Sequence, residues 1–382
     1  MTEPALPPVS TPRAPRSDLP GARMRSRIAV LALAVVGSAV VTAAPAGAVP
    51  GSSGSTGSAG SSSGSVASDA RFETLCTPTD PGLAELSGLV STGDRIYAIG
   101  DSGTDDEVWV LDDQCRVTGT VAVPPTPVDV EDMAMSGGRL WLSDTGDNNR
   151  IRQQVSLTDL DPVTGAGSMH LLTYPDGPHD AETLLVGRDG RPVIVTKEVL
   201  AASGIYRPAN GATLDQLGPG PAPLQRIGQI AYAPTDTPGS PMPVAGSILV
   251  TGGAVSADGR VVAVRTYTDV YLYPAPDGDI AAALTGTTPV RVPMPNQPQG
   301  EAIAFTPNGD LLSASEANGG PLPPIEILRG ATGLVQLPAP VVDAAAKADS
   351  VGAGTVVAAG AGLGAVAVGG AAVWRRSRKD TL

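Results

Sequence analysis

One short pattern recurs five times along the chain: an apolar stretch, a Gly/Asp turn, and a second apolar stretch. It runs Ser87-Gly-Leu-Val, Gly93-Asp-Arg, Ile96-Tyr-Ala-Ile, and then Glu131-Asp-Met-Ala-Met, Gly137-Gly-Arg, Leu140-Trp-Leu. The third copy is Glu182-Thr-Leu-Leu-Val, Asp189-Gly-Arg, Val193-Ile-Val, and the fourth is Thr251-Gly-Gly-Ala-Val, Asp258-Gly-Arg, Val261-Val-Ala-Val. Glu301-Ala-Ile-Ala-Phe, Asn308-Gly-Asp and Leu311-Leu close the series. Each copy reads as a β-hairpin, because these turns supply the positive φ that a tight reversal needs. Counted from Val90, Met135, Val186, Val255 and Phe305, the units are spaced by 45, 51, 69 and 50 residues. Periods of this size mark a repeat architecture.

Further short apolar runs follow each hairpin: Val108–Leu111 and 117–123; 154–160 and 169–174; Ile205-Tyr206 and 227–232; 270–273 and 290–292; 325–328 and Leu334-Val335. Four strands per unit, no helical periodicity, and 47 Gly with 37 Pro predict an all-β chain, a β-propeller of four-stranded blades. Five blades are recognisable. The long third interval, with its prolines at 219–223 and 234–243, leaves room for an insertion or a degenerate sixth. A two-sheet sandwich accounts for the strand number but not for the recurring turn. The strand at 72–75 precedes the first unit and is placed to complete the last blade, with a Cys76–Cys115 disulfide tying it to the first.

In a propeller the first strand of each blade lines the axis, so residues entering it converge. Glu131, Glu182 and Glu301 occupy equivalent entering positions, where the first and fourth units hold Leu86 and Thr251. Residues leaving the second strand reach the same face: Asp101, Asp144, Lys197 with Glu198, Arg265 and Glu316. Convergent carboxylates repel unless they bind a hard cation, share protons or pair with a base. Glu131, Glu182 and Glu301 are therefore the candidate metal ligands, with Ca²⁺ the ion their oxygen chemistry suits. Asp101, Asp144, Lys197 and Arg265 are the candidate ligand-binding residues. His179, Lys197 and Glu316 are the candidate catalytic residues, His179 because an imidazole is the side chain suited to acid or base work near neutral pH. The alternative is a structural one, in which the repeated polar residues cap strands and bond the next blade. Asp144-Thr-Gly-Asp147-Asn148-Asn149 concentrates oxygen donors on one loop, although such runs are also ordinary turns. Gly100-Asp101-Ser102-Gly103 shares letters with serine proteases, but neither His precedes it. No phosphate loop, dinucleotide fingerprint or zinc spacing is present.

Composition fixes the compartment and excludes some partners. Residues 69–350 carry 16 Lys+Arg against 35 Asp+Glu, which disfavours nucleic acid. Two His exclude a multi-histidine metal site. Arg25 and Arg27, the apolar run 28–41 and Ala46-Gly-Ala48 have the order of a secretory signal, so residues 1–48 are read as a signal peptide with a leading region. Residues 49–68 are a Gly/Ser linker, 69–335 the propeller and 336–352 a stalk. The uncharged run 353–374 would span about 33 Å as a helix, enough to cross a bilayer, and the basic tail 375–382 should stay cytoplasmic. The expected protein is exported and anchored in the cell membrane with its propeller outside, where two cysteines favour a disulfide.

Glu85-Leu-Ser-Gly-Leu with Tyr97-Ala-Ile-Gly-Asp101, the Glu131 and Glu182 repeats, Val195-Thr-Lys-Glu198, and Gly300-Glu-Ala-Ile-Ala with Ser315-Glu316 resemble the phytase-like propellers described as having esterase-like activity. The resemblance covers roughly residues 80–330. It implies an exported, calcium-dependent phosphatase or esterase-like hydrolase. The chain departs from a true phytase in that the fourth unit has Thr251-Gly-Gly without an acid, and Lys197 and Arg265 are the only basic residues left to bind phosphate. The residues themselves also suit a non-catalytic propeller that binds a small anionic ligand, a wall component or a protein through its acidic crown. Fold alone does not choose, because propellers host both.

Overall fold

The computed structural model describes residues 65–67, 69–101 and 103–337. The expected signal peptide, the stalk beyond residue 337, the membrane helix and the basic tail lie outside these residues, as does Ser102. Two short strands come first, β1 (Ser65–Val66) and β2 (Glu73–Cys76). A first group follows: β3 (Leu86–Ser91), β4 (Ile96–Gly100), β5 (Glu107–Leu111) and β6 (Val117–Ala122). The second is β7 (Val130–Ser136), β8 (Arg139–Asp144), β9 (Val155–Leu160) and β10 (Gly167–Thr173). The third is β11 (Ala181–Val186), β12 (Pro192–Thr196), β13 (Ser203–Pro208) and β14 (Ala222–Ile230). The fourth contains β15 (Val250–Val255), β16 (Val261–Thr266), β17 (Asp269–Pro274), helix α1 (Ile280–Gly286) and β18 (Val290–Pro293). The last is β19 (Gln299–Phe305), β20 (Leu311–Glu316) and β21 (Ile325–Leu328).

Each group is an antiparallel meander. The final meander is completed by β2, which pairs antiparallel with β21 and brings the N-terminal side of the body to its C-terminal side. First strands contact one another in the order β3, β7, β11, β15, β19, and β19 returns to β3. This closed ring of meanders around an axis is the arrangement of a β-propeller. The outer strands β10 and β14 also pair in parallel, at Leu172 with Ala222 and Thr173 with Pro223, which joins the second and third groups into one eight-stranded sheet.

Strand alternation explains where the core sits. Successive side chains face opposite sides of a sheet, so Val262 and Val264 pack toward the third group while Val261 and Ala263 pack toward the fifth. Likewise Ile96 and Ala98 face the fifth group, and Tyr97 and Ile99 the second. The core is thus divided into clusters between neighbouring meanders. The Cys76–Cys115 disulfide forms, with Cα atoms 5.7 Å apart, and fastens the closing strand to the β5–β6 turn. Such a bond belongs to an oxidising, extracytoplasmic environment.

Three local expectations change, and the open reading of the long third interval narrows. Leu334-Val335 is not a strand: residues 331–334 form a 3-10 turn, and β2 takes the fourth place by supplying backbone partners for β21. Residues 231–249 hold no strand, only the 3-10 turn Ala245–Ser247, so the long interval is an insertion between β14 and β15. The Gly/Ser segment 49–68 ends in β1, which pairs in parallel with β18. One α-helix, α1, stands where no helical periodicity was legible. Asp279 caps it by accepting from the Ala282 N–H at 3.0 Å, and its buried Ile280, Ala283 and Leu284 dock on the core. Among the described residues, no helix is long and apolar enough to cross a membrane.

Candidate functional site

Every inner strand slips register near its start. Pairing jumps between Leu86 and Gly88, Val130 and Asp132, Ala181 and Thr183, Val250 and Gly252, and Gly300 and Ile303. A bulge re-aims the extra residue, and the residues skipped are Ser87, Glu131, Glu182, Thr251 and, with Ala302, Glu301. The bulge position of the first strand is therefore Ser87 and not Leu86, which belongs to the apolar core. Hydrogen bonds lace these bulges to adjacent strands. Ser87 Oγ donates to the Glu131 carbonyl at 2.9 Å, Thr251 Oγ1 donates to the Gly300 carbonyl at 2.8 Å, and the Leu184 N–H donates to Asp132 at 2.8 Å.

Glu131, Glu182 and Glu301 are all buried. Burial raises the Glu131 and Glu301 carboxyls well above the ordinary range, with neighbouring carboxylates adding to the effect. Glu182 is pushed up to about 7, because burial outweighs the attraction of Lys197. Glu316, also buried, rises to about 8 through burial and the nearby Asp101 and Glu182. Two carboxylate groups, Asp101 with Asp129 and Glu131, and Glu131 with Asp180 and Glu182, each bring ligand oxygens within 4.8 Å of one another. Lys197 is ion-paired with Glu182, and its ammonium lies 5.4 Å from the Tyr267 ring centroid.

These donors fit a hard cation. The two groups offer only carboxylate oxygens. Glu182 Oε2 and Glu301 Oε2 are buried without a hydrogen-bond partner, and a buried, unpartnered acceptor is costly until something positive meets it.

Two of the contributing acids, Asp129 and Asp180, were missed in the sequence. The signal was present: Asp129-Val-Glu131 and Asp180-Ala-Glu182 repeat Asp-x-Glu at matched positions of successive units, beside Gln299-Gly-Glu301. Gln299 Nε2 donates to Glu301 Oε1 at 3.2 Å, so in the last unit an amide stands where the second and third units have an acid.

His179 lies beside the ring. Its Nδ1 is 3.0 Å from Glu198 Oε1, its Nε2 3.1 Å from Asp176 Oδ1, and Tyr206 donates its hydroxyl to Asp176 Oδ2 at 2.8 Å. Arg150 holds the other Glu198 oxygen at 2.6 Å. An imidazole held between two carboxylates and a phenol is oriented for proton exchange. His170, which has no assigned role, instead contacts Asp159 at 3.2 Å and packs on Trp141.

Two candidates are placed elsewhere. Arg265 is fully buried between the fourth and fifth meanders, where it donates to the carbonyls of Thr266, Ala302, Ala314 and Tyr267, to Ser313 Oγ and to Gln297 Oε1. Those donors bond the protein itself, so Arg265 clamps two neighbouring meanders. Asp144 is buried too, accepting from the N–H groups of Val128 and Asp129 and from Ser156 Oγ, and pairing with Arg152 at 2.8 Å. Through these contacts it fixes the loop before β7 and the start of β9. Asp147, in the same loop, accepts from the N–H groups of Ile151 and Arg152, as an ordinary turn does.

No protein-family model and no curated protein matches the sequence. Among solved structures the chain is similar to Kuenenia stuttgartiensis hydrazine synthase, at TM-score 0.37 and 11% identity over 66% of this chain and 97% of that one. It is similar also to a Xanthomonas campestris gluconolactonase, at 0.39 and 16% over 69% and 91%, and to a nidogen/laminin complex, at 0.34 and 8% over 61% and 73%.

Proposed function

We propose that the five meanders are five blades of an exported, membrane-anchored propeller whose axial carboxylate ring binds Ca²⁺ and, through the ion, an anionic ligand. The ligand class is a small molecule, a cell-envelope component or an acidic segment of a protein. The observation that carries this reading is the convergence of Asp101, Asp129, Glu131, Asp180 and Glu182 into two overlapping oxygen clusters, with Lys197 paired to one member. Taking ions out of water costs several kcal/mol each, and a divalent cation offsets that cost where one ammonium does not. The signal-like segment within 1–48, the apolar run 353–374 and the disulfide support export and anchoring.

The test is calorimetric titration of Ca²⁺ into the purified full-length protein in detergent, beside the Glu131→Gln, Glu182→Gln, Glu301→Gln triple variant. Heat that saturates in the parent and vanishes in a folded variant supports the reading. Absence of binding to the parent leaves the ring as a set of strand caps and ion-pair partners.

A second reading, a calcium-dependent hydrolase of phosphate or carboxylic esters like those of the phytase-like family, is favoured by His179 in its Glu198–Asp176–Tyr206 setting. Here His179 and Glu316 would move protons, Lys197 would attract the anionic group, and the cation would supply positive charge to it. Turnover of an ester panel that is lost in His179→Gln with Ca²⁺ binding retained would select this reading over simple binding.

A further inference from the structure

We propose that the end of the axis opposite the carboxylate ring binds an uncharged aromatic heterocycle of one or two rings. Val90, Met135, Val186, Val255 and Phe305, the equivalent last apolar positions of the repeat, line one cavity of about 240 Å³. Met135, Val186 and Phe305 each lie four positions after a ring residue, Glu131, Glu182 and Glu301 respectively. At about 3.3 Å per residue, the cavity sits roughly 13 Å further along the same strands. Between the two stands Asp132, fully buried, which accepts from the N–H groups of Leu184, at 2.8 Å, and Gly253.

The lining sets the chemistry of the occupant. None of its side chains is charged, and Ser91 carries its one hydroxyl, so an ion entering it would lose its hydration without gaining a counter-charge. An apolar cavity of about 150 Å³ takes benzene, and about 240 Å³ leaves room for a second fused ring. Met133, Met135 and Phe305 favour an aromatic guest over an aliphatic one of the same size, because thioethers and ring edges attract a π-system. Polar contacts come from the backbone. Each first strand is the edge of its sheet, and no ladder joins it to the next. Buried edge N–H and C=O groups need partners. Asp132 supplies one for Leu184 and Gly253, which both border the cavity, and a ring nitrogen in the guest does the same for groups nearer the mouth.

The experiment is calorimetric titration of indole into the full-length protein in amphipol, with the heat of amphipol alone subtracted. A single saturable site is expected, together with a rise in the thermal unfolding midpoint, since a ligand of the folded state stabilises it. Val255→Phe, which fills the cavity, should weaken binding by at least about tenfold. Ala257 is exposed on the turn at the mouth, so Ala257→Trp covers the opening without repacking the core and should weaken binding to the same extent. Cooperative thermal unfolding shows whether each variant is folded, and Ala257→Trp serves where Val255→Phe is not. Indole-3-acetate, the same ring with a carboxylate attached, should bind at least about tenfold more weakly than indole. Absence of saturable binding in the parent overturns the proposal, as does binding that persists unchanged in the folded variants. Equal affinity for indole and indole-3-acetate overturns the uncharged class of ligand.

Discussion

Lys197 is ion-paired to Oε1 of Glu182, while Oε2 of that carboxylate is buried without a hydrogen-bond partner. The ammonium is the internal counter-ion of the ring. Burial alone would lower its affinity for the proton, but Glu182, Tyr267 and Glu301 hold it well above the ordinary lysine range, so it stays charged.

Replacing Lys197 by Met leaves Glu182 and its neighbours without that charge. Breaking a buried pair from one side costs about 3–5 kcal/mol. Urea unfolding in chelator should show a loss of this order, and addition of Ca²⁺ should restore more stability to the variant than to the parent, since ligand binding stabilises by mass action. Equal stability of the two proteins in chelator would show that the pair is not what balances the ring.

The raised carboxyls set a pH dependence. Glu182, at about 7, and Glu316, at about 8, keep protons in the folded chain that the unfolded chain releases near 4.5. The folded state therefore binds more protons across this window, and stability must fall as pH rises from about 5 to about 8. Each group contributes a slope of up to about 1.4 kcal/mol per pH unit. Thermal unfolding in chelator should show a midpoint that declines across this range, and Glu316→Gln should flatten the decline.

Arg265 should behave as a structural residue. All of its described hydrogen bonds go to protein acceptors on the fourth and fifth meanders and the segment between them. Arg265→Met strands those acceptors and should cost about 3–5 kcal/mol. Ca²⁺ affinity of the fraction that remains folded should stay within about threefold of the parent, a shift of under about 1 kcal/mol.

Closure by the disulfide is likewise measurable. Cys76 and Cys115 are 39 residues apart, and the chain-entropy account assigns such a loop about 4 kcal/mol. Cys76→Ser with Cys115→Ser should lower stability by about 2–4 kcal/mol, and hydrogen exchange should rise first in β2 and β21, whose pairing closes the ring.

The sequence by itself determined what depends on near neighbours. Turn chemistry and strand alternation are local, so the five hairpins, the Glu131, Glu182 and Glu301 repeat, and the closing role of 72–75 were all legible. Helix α1 and the non-strand state of 334–335 were not, because short segments take their state from what they dock against: Ile280 and Leu284 on the core in one case, and β2 already occupying the edge of β21 in the other. Tertiary structure alone decided which charges meet. Bulges turned Glu131 and Glu182 toward Asp129 and Asp180, and Arg265 was drawn inward by carbonyls nearly forty and fifty residues away, at Ala302 and Ala314. The reason is that desolvation and charge proximity act through space, between residues the repeat sets many positions apart, and only closure of the ring brings those residues into contact.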